Sequence, residues 1–387
     1  MTKNTLVLSD KITHEISPDM VGLFFEDINF AADGGLYAEM IENRSFEAVK
    51  SKGESHNYVL KEDNLYAWSA TAEDADENAL EISCNEPVSE KNPHYLRFTA
   101  KKAGQGFKNK AYDGISLKKD MKYKLSFYAR EVKYPEGKII ASVKKTGKTY
   151  AQSEITFKNS TNRPKEWMDT IRVSCDTLEW NFYTAELTAK EDVSGADFIL
   201  ELTNEGCLEF DLISLIPEDA VAGVFRKDLF QALADLHPAF IRFPGGCIVE
   251  GTSIMRRYQW KNTVGELKDR IINTNLWALQ GGNVTSAWES PDCHYMQSYG
   301  IGFYEYFLLC ELLSSQKRVC KPLPVLSVGV ACQFRSYQVV PVESEEFQKY
   351  VQDALDLIEF ANGPVTSRWG ALRAQMGHPE SFNMDMI

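Results

Sequence analysis

The 387-residue sequence has no C-x-x-C pair, no H-E-x-x-H, no G-x-S-x-G and no long block of lysines and arginines. Each absence excludes a class. Its eight cysteines (84, 175, 207, 247, 293, 310, 320 and 332) are scattered, whereas a structural zinc draws its ligands from close pairs. Unpaired thiols in a reducing compartment are the expectation. The six histidines show no metal spacing, so neither metal nor cofactor is expected. With 42 basic against 55 acidic residues the net charge is -13. An acidic chain is a poor partner for nucleic acid, which is bound by clustered basic residues. No stretch of about 18 apolar residues occurs, so no membrane partner is expected. The opening residues lack the apolar core of a secretory leader, which read literally predicts a cytoplasmic protein; a trimmed leader would leave the same start on a secreted one. Gly104-Gln105-Gly106 and Gly300-Ile301-Gly302 lack the third glycine of a dinucleotide fingerprint. Gly147-Lys148-Thr149 has Ser142 where a phosphate loop needs its first glycine, and reads as a hairpin turn.

What is present falls into three textures. Residues 1–55 hold a short strand at Leu6-Val7-Leu8 and the apolar run Met20-Val21-Gly22-Leu23-Phe24-Phe25. Such a run predicts a strand buried on both faces, as in a parallel sheet. Residues 56–217 carry many short alternating runs, among them 95–98, 123–128, 139–143, 180–183, 198–202 and 208–213. They predict an antiparallel β-sandwich. Residues 218–387 alternate helix and strand: helices at 226–236, 303–313 and 344–360, strands at 240–243 and 324–330, and an extended run from Phe382 to Ile387. The whole is an α/β chain with an all-β insert. Its 45 aromatic residues (7 Trp, 17 Tyr, 21 Phe) suit a β-rich core, and would equally suit stacking on sugars.

Parallel sheets of this kind place their sites at strand C-terminal ends. Glu26 ends the first strand, where a carboxylate serves as turn or cap residue as readily as ligand. Arg242 lies inside Phe240-Ile241-Arg242-Phe243, a strand expected to be buried. A guanidinium cannot shed its charge, so a structural ion pair and a substrate clamp both fit it. Pro244-Gly245-Gly246 closes that strand in a turn whose backbone can approach a ligand.

These blocks carry a resemblance. Gly22-Leu23-Phe24-Phe25-Glu26-Asp27 with Gly34–Phe46, Arg242–Cys247 with Glu250-Gly251, Gln297–Tyr306, and Trp369–Arg373 with Met376–Pro379 stand in the order found in glycoside hydrolase family 51 α-L-arabinofuranosidases. The chain resembles that family from about residue 20 to its end. The resemblance implies a partial (β/α)8 TIM barrel of about three and a half strands, with an insert similar to carbohydrate-binding modules. It also implies release of terminal α-L-arabinofuranosyl groups from arabinose-containing polysaccharides or oligosaccharides with retention, which uses two carboxyl groups about 5–5.5 Å apart. Glu26, Arg242 and Cys247 match the family's sugar-contacting positions. The two catalytic glutamates are expected beyond Ile387, so no catalytic residue is assigned here and the chain alone is expected to be inactive. The full-length relatives suggest a homo-oligomer. A β-xylosidase or endoglucanase of the same family, and a non-catalytic carbohydrate-binding protein, are the alternatives.

Overall fold

The computed structural model describes residues 7, 10, 14–28, 30–54, 57–71, 79–134, 137–157, 179–279, 294–315, 318–334 and 336–387. Among the described residues the protein is a mixed α/β chain with two large antiparallel sheets, two two-stranded antiparallel ones and a small parallel one. Leu6 and Leu8 of the expected strand, and Cys175 and Cys293, lie outside the described residues.

The two antiparallel sheets pack face to face. One joins Asn181–Thr188, Lys122–Lys133, Gly206–Pro217, Tyr95–Ala100 and Leu80–Ser83 in that order. The other joins Lys148–Thr156, Lys138–Lys145, Val193–Leu202, Gly106–Asn109 and Trp68–Ala70, with Ile115–Leu117 also on Val193–Leu202. Alternation drives this arrangement, because every second side chain of a strand turns to one face. Leu125 and Phe127 turn inward beside Phe98, Phe107, Phe198 and Phe210, all buried. The Gly147-Lys148-Thr149 segment lies in the expected hairpin. Lys145 pairs with Lys148 around Thr146 and Gly147, both at positive φ, as a two-residue turn requires.

The sandwich does not begin at residue 56. Val49–Glu54 and Asn57–Glu62 form one hairpin across that boundary, and Ile41 and Phe46 belong to the sandwich core. Asn43 fastens this entry segment. Its amide donates to the carbonyls of Asn64 and Tyr66, and its own carbonyl accepts from the Trp68 indole.

The parallel sheet has three strands, Leu23–Phe24, Phe240–Phe243 and Lys321–Pro324, in that order. Helices Lys227–Asp235 and Phe303–Leu313 precede the second and third, as parallel connections demand. Helix Phe303–Leu313 begins where Glu305 accepts from the Gly302 N–H and from both terminal nitrogens of buried Arg270. Helices Glu345–Asn362 and Arg368–Gln375 follow, each capped by a serine hydroxyl, Ser344 and Ser367.

Two apolar runs differ from expectation. Of Met20–Phe25 only Leu23–Phe24 enters the sheet, and Met20, Val21 and Phe24 are exposed. The third strand is Lys321–Pro324 rather than 324–330, and Val328 is exposed. Among the described residues both strands are edges of the sheet, so one flank of each has no neighbouring strand there. The 382–387 segment forms no ladder; Phe382 donates its N–H to the Ala361 carbonyl. Among the described residues no helix is long and apolar enough to cross a membrane, and no cluster of three metal-ligating side chains occurs.

Candidate functional site

The parallel register brings Phe24 beside Arg242 and Leu23 beside Ile241. Glu26 therefore emerges two residues past Phe24, next to the turn that follows Phe243. Gly245 makes that turn possible. Its φ is 120°, and a Cβ there would overlap the Glu26 side chain, so a glycine backbone lies flat against the carboxylate. Arg242 has its guanidinium 4.5 Å from the Phe24 ring centroid, a cation–π contact. Cys247 lies in the first turn of the short helix Gly246–Glu250, and its sulfur accepts from the Gln333 amide at 3.8 Å. The structure thus brings Glu26 and Arg242 together, with Cys247 on the same loop facing Gln333.

Glu26 is half-buried, and its Oε1 is buried without a hydrogen-bond partner among the described residues. Burial raises its carboxyl above the ordinary range, while the Trp277 indole and the Arg242 charge pull it back and Asp27 adds a smaller upward push. An oxygen with unused acceptor capacity beside a cation is suited to hydroxyl groups, which donate to one and accept from the other.

Asp27 is different. It is sealed, and its oxygens accept from the Ala32 N–H at 3.0 Å, the Tyr295 hydroxyl at 2.8 Å, the Gln297 amide at 3.1 Å and the Asn275 amide at 3.4 Å. Burial also raises its carboxyl, with these four donors opposing. Asn275 in turn donates to the Asp27 carbonyl and accepts from the Trp277 N–H. Asp27 therefore anchors the segment that carries Trp277 to Glu26. Glu26 and Asp27 are not an acid/base pair, because one is fully engaged and closed to solvent.

A second buried acid, Asp33, accepts from the Ser298 N–H and hydroxyl. Burial and the nearby Asp27 push it up to about 6. The Gln297–Gly302 block owes its residue types to this packing. A Cβ on Gly300 would strike the Tyr37 ring, and one on Gly302 the Thr263 carbonyl.

Sequence reasoning missed Trp277, Gln333 and the supporting role of Asp27. Only Asp27 left a signal, as the second acid of the Glu26-Asp27 pair. Trp277 and Gln333 come from irregular segments with no periodicity to read.

The Alpha-L-arabinofuranosidase 1 domain family matches residues 232–387. The chain is 34% identical over 386 residues to an extracellular exo-α-L-arabinofuranosidase of Streptomyces chartreusis, covering 95% of this chain and 39% of that protein. It is 31% identical to α-L-arabinofuranosidase 2 of Arabidopsis thaliana, covering 98% of this chain and 50% of that one. The arabinose-bound structure of a family 51 α-L-arabinofuranosidase superposes with a TM-score of 0.76 at 26% identity, over 97% of this chain and 54% of the other. The chain thus spans about half the length of the relatives it matches. Such relatives cover nearly the whole of this chain, and on that ground it belongs to glycoside hydrolase family 51, to whose α-L-arabinofuranosidases it is similar.

Proposed function

We propose that this chain supplies the sugar-gripping wall of an α-L-arabinofuranosidase that releases terminal, non-reducing α-L-arabinofuranosyl residues from arabinoxylan- or arabinan-type glycans with retention. The observation that carries it is the convergence of Glu26 and Arg242 where two parallel strands end, the place at which (β/α)8 barrels bind substrate. The three parallel strands and their helices read as the opening of such a barrel. Glu26 accepts from sugar hydroxyls, Arg242 donates to sugar oxygens, and Cys247 borders the same pocket. The nucleophile and the acid/base are assigned outside residues 1–387, so the isolated chain is expected to show no hydrolysis of aryl α-L-arabinofuranosides.

The test uses a protein that carries these 387 residues with the rest of the family's length. Glu26→Gln and Arg242→Met each remove a charge-assisted hydrogen bond, which lowers kcat/KM by about 10- to 100-fold. The melting temperature stays nearly unchanged, because Glu26 is half-buried and Arg242 packs on the exposed Phe24 ring. Full kinetics with a large loss of stability would make both residues parts of the fold and end this reading.

A further inference from the structure

Two of the cysteines are neighbours in the fold. Cys310 sits in the last turns of helix Phe303–Leu313, and Cys320 immediately precedes strand Lys321–Pro324. Both belong to the core that the parallel sheet shares with its helices. They are 1% and 2% exposed, and the Cys310 S–H donates to the Cys320 sulfur.

The connection between them holds the pair in place. The Ser314 hydroxyl donates to the Cys310 carbonyl at 2.9 Å and accepts from the Cys320 N–H at 2.9 Å, so one side chain ties both cysteine backbones. Ser315 and Arg318 exchange two backbone hydrogen bonds, which close the loop at its far end. From the strand side, Lys321 donates its N–H to the Ala239 carbonyl and pairs with Phe240. Helix end and strand start are each fixed, and the two sulfurs stay together as long as the core is closed.

The two thiols are not equivalent. Donation from Cys310 lowers the Cys320 thiol below its ordinary range, and the Arg318 charge adds to this against the effect of burial. Burial raises Cys310, which lies beside Ile241 of the middle strand, well above that range. Arg318 is kept near because its guanidinium donates to the carbonyls of Pro18 and Val21 at 3.2 Å. The sulfur with more thiolate character attacks an oxidant first, and its neighbour resolves the product. So enclosed a pair admits only a small oxidant.

We propose that Cys310 and Cys320 form a dithiol that hydrogen peroxide converts to a disulfide, closing the loop from helix Phe303–Leu313 to the third strand; this is independent of the function proposed above. The Cys320 thiolate attacks one peroxide oxygen and the O–O bond breaks, leaving Cys320 as a sulfenic acid and releasing hydroxide. Cys310 then gives up its proton, which with the hydroxide makes water. Its sulfur attacks that of Cys320, and the S–O bond breaks to release a second water as the sulfenic oxygen takes up a proton. The dithiol loses two electrons, and one peroxide becomes two waters.

The test exposes the full 387-residue chain, folded and reduced, to graded peroxide, alkylates the remaining thiols and digests it with trypsin without reduction. Cleavage after Lys317 and Arg318 separates the two cysteines, so the disulfide joins two peptides that a reductant parts again. Tandem mass spectrometry is expected to locate the bond between Cys310 and Cys320. In Cys310→Ser, Cys320 should stop at the sulfenic acid and be labelled by dimedone, whereas in Cys320→Ser, Cys310 should stay unlabelled. Circular dichroism checks that both variants fold, and the linked peptide of the unsubstituted chain decides alone if they do not. No linked peptide under conditions that oxidise the exposed Cys84 would overturn the proposal. So would a linked peptide that forms only after urea has unfolded the chain, and labelling of Cys310 in place of Cys320 would overturn the order of attack.

Discussion

The sandwich and the parallel sheet both grow from apolar runs and finish them differently. Strands of the sandwich reach twelve residues, as in Lys122–Lys133 and Gly206–Pro217, and their inner faces close on each other. Strands of the parallel sheet are two to four residues long, and both edge strands are flanked by exposed apolar residues such as Val21 and Val328. The difference is one of connection. An antiparallel neighbour can follow after a two-residue turn, as at Thr146-Gly147, whereas a parallel one waits for a crossover. Between Leu23–Phe24 and its partner Phe240–Phe243 the chain inserts the entire sandwich. The comparison teaches that an apolar run reports a surface seeking cover, and topology decides whether cover is near.

The strongest way to break the comparison is to cut the sandwich out. A fragment of residues 38–217 should unfold in one cooperative transition. A fragment of residues 56–217 loses buried Ile41 and Phe46 and half of the 49–62 hairpin, and should be less stable by more than about 5 kcal/mol. Urea unfolding followed by near-ultraviolet circular dichroism distinguishes them, and equal stability would show that residues 38–55 serve only the parallel sheet.

Point substitutions sharpen it. Phe127→Ala, at the fully buried centre of the sandwich, should cost about 3–5 kcal/mol. Phe24→Ala, in the parallel sheet, should cost less than about 1 kcal/mol because that ring is already 54% exposed. A similar cost at both positions in denaturant titrations would mean that Phe24 is covered in solution.

A pH-dependent effect lies at the seam between the two regions. A small cavity there is lined by Asp33, Glu39, Glu42 and Arg44. Burial lifts Glu42 to about 7, against the pull of Lys110 and Tyr66. A carboxyl raised in the folded state binds its proton more tightly there than when unfolded. Its stabilising contribution is therefore complete below pH about 4.5 and is lost as pH rises through about 7. Glu42→Gln should remove that dependence, gaining roughly 1–3 kcal/mol over wild type at pH 8 relative to pH 4.5. Thermal melts at both pH values read the difference; an equal shift at each would exclude titration of Glu42.

Much of the fold was legible. The helix at 303–313 matches residue for residue, and that at 344–360 is met by Ser344 as cap and Glu345–Asn362 as body. Phe240–Phe243 was also read as it stands. Period and capping chemistry are local, and these elements bury the faces their periods predict. The runs at 20–25 and 324–330 were misjudged because burial is not local: the same residues would be covered with a neighbour and are exposed without one.

For the site, strand-end position drew notice to Glu26 and Arg242 without deciding their roles, and only the family resemblance added Cys247; the glycines at 245 and 246 that turn the chain there are visible in one dimension. It also determined the hairpin at Gly147 and the alternation that makes a sandwich. Only the tertiary structure decided that Glu26 and Asp27, adjacent in sequence, have opposite fates. Asp27 meets donors from residues nearly 250 or more positions away, at 275, 295 and 297, while one Glu26 oxygen has no hydrogen-bond partner among the described residues. The physical reason is that hydrogen-bond satisfaction and desolvation depend on which distant segments converge on a side chain.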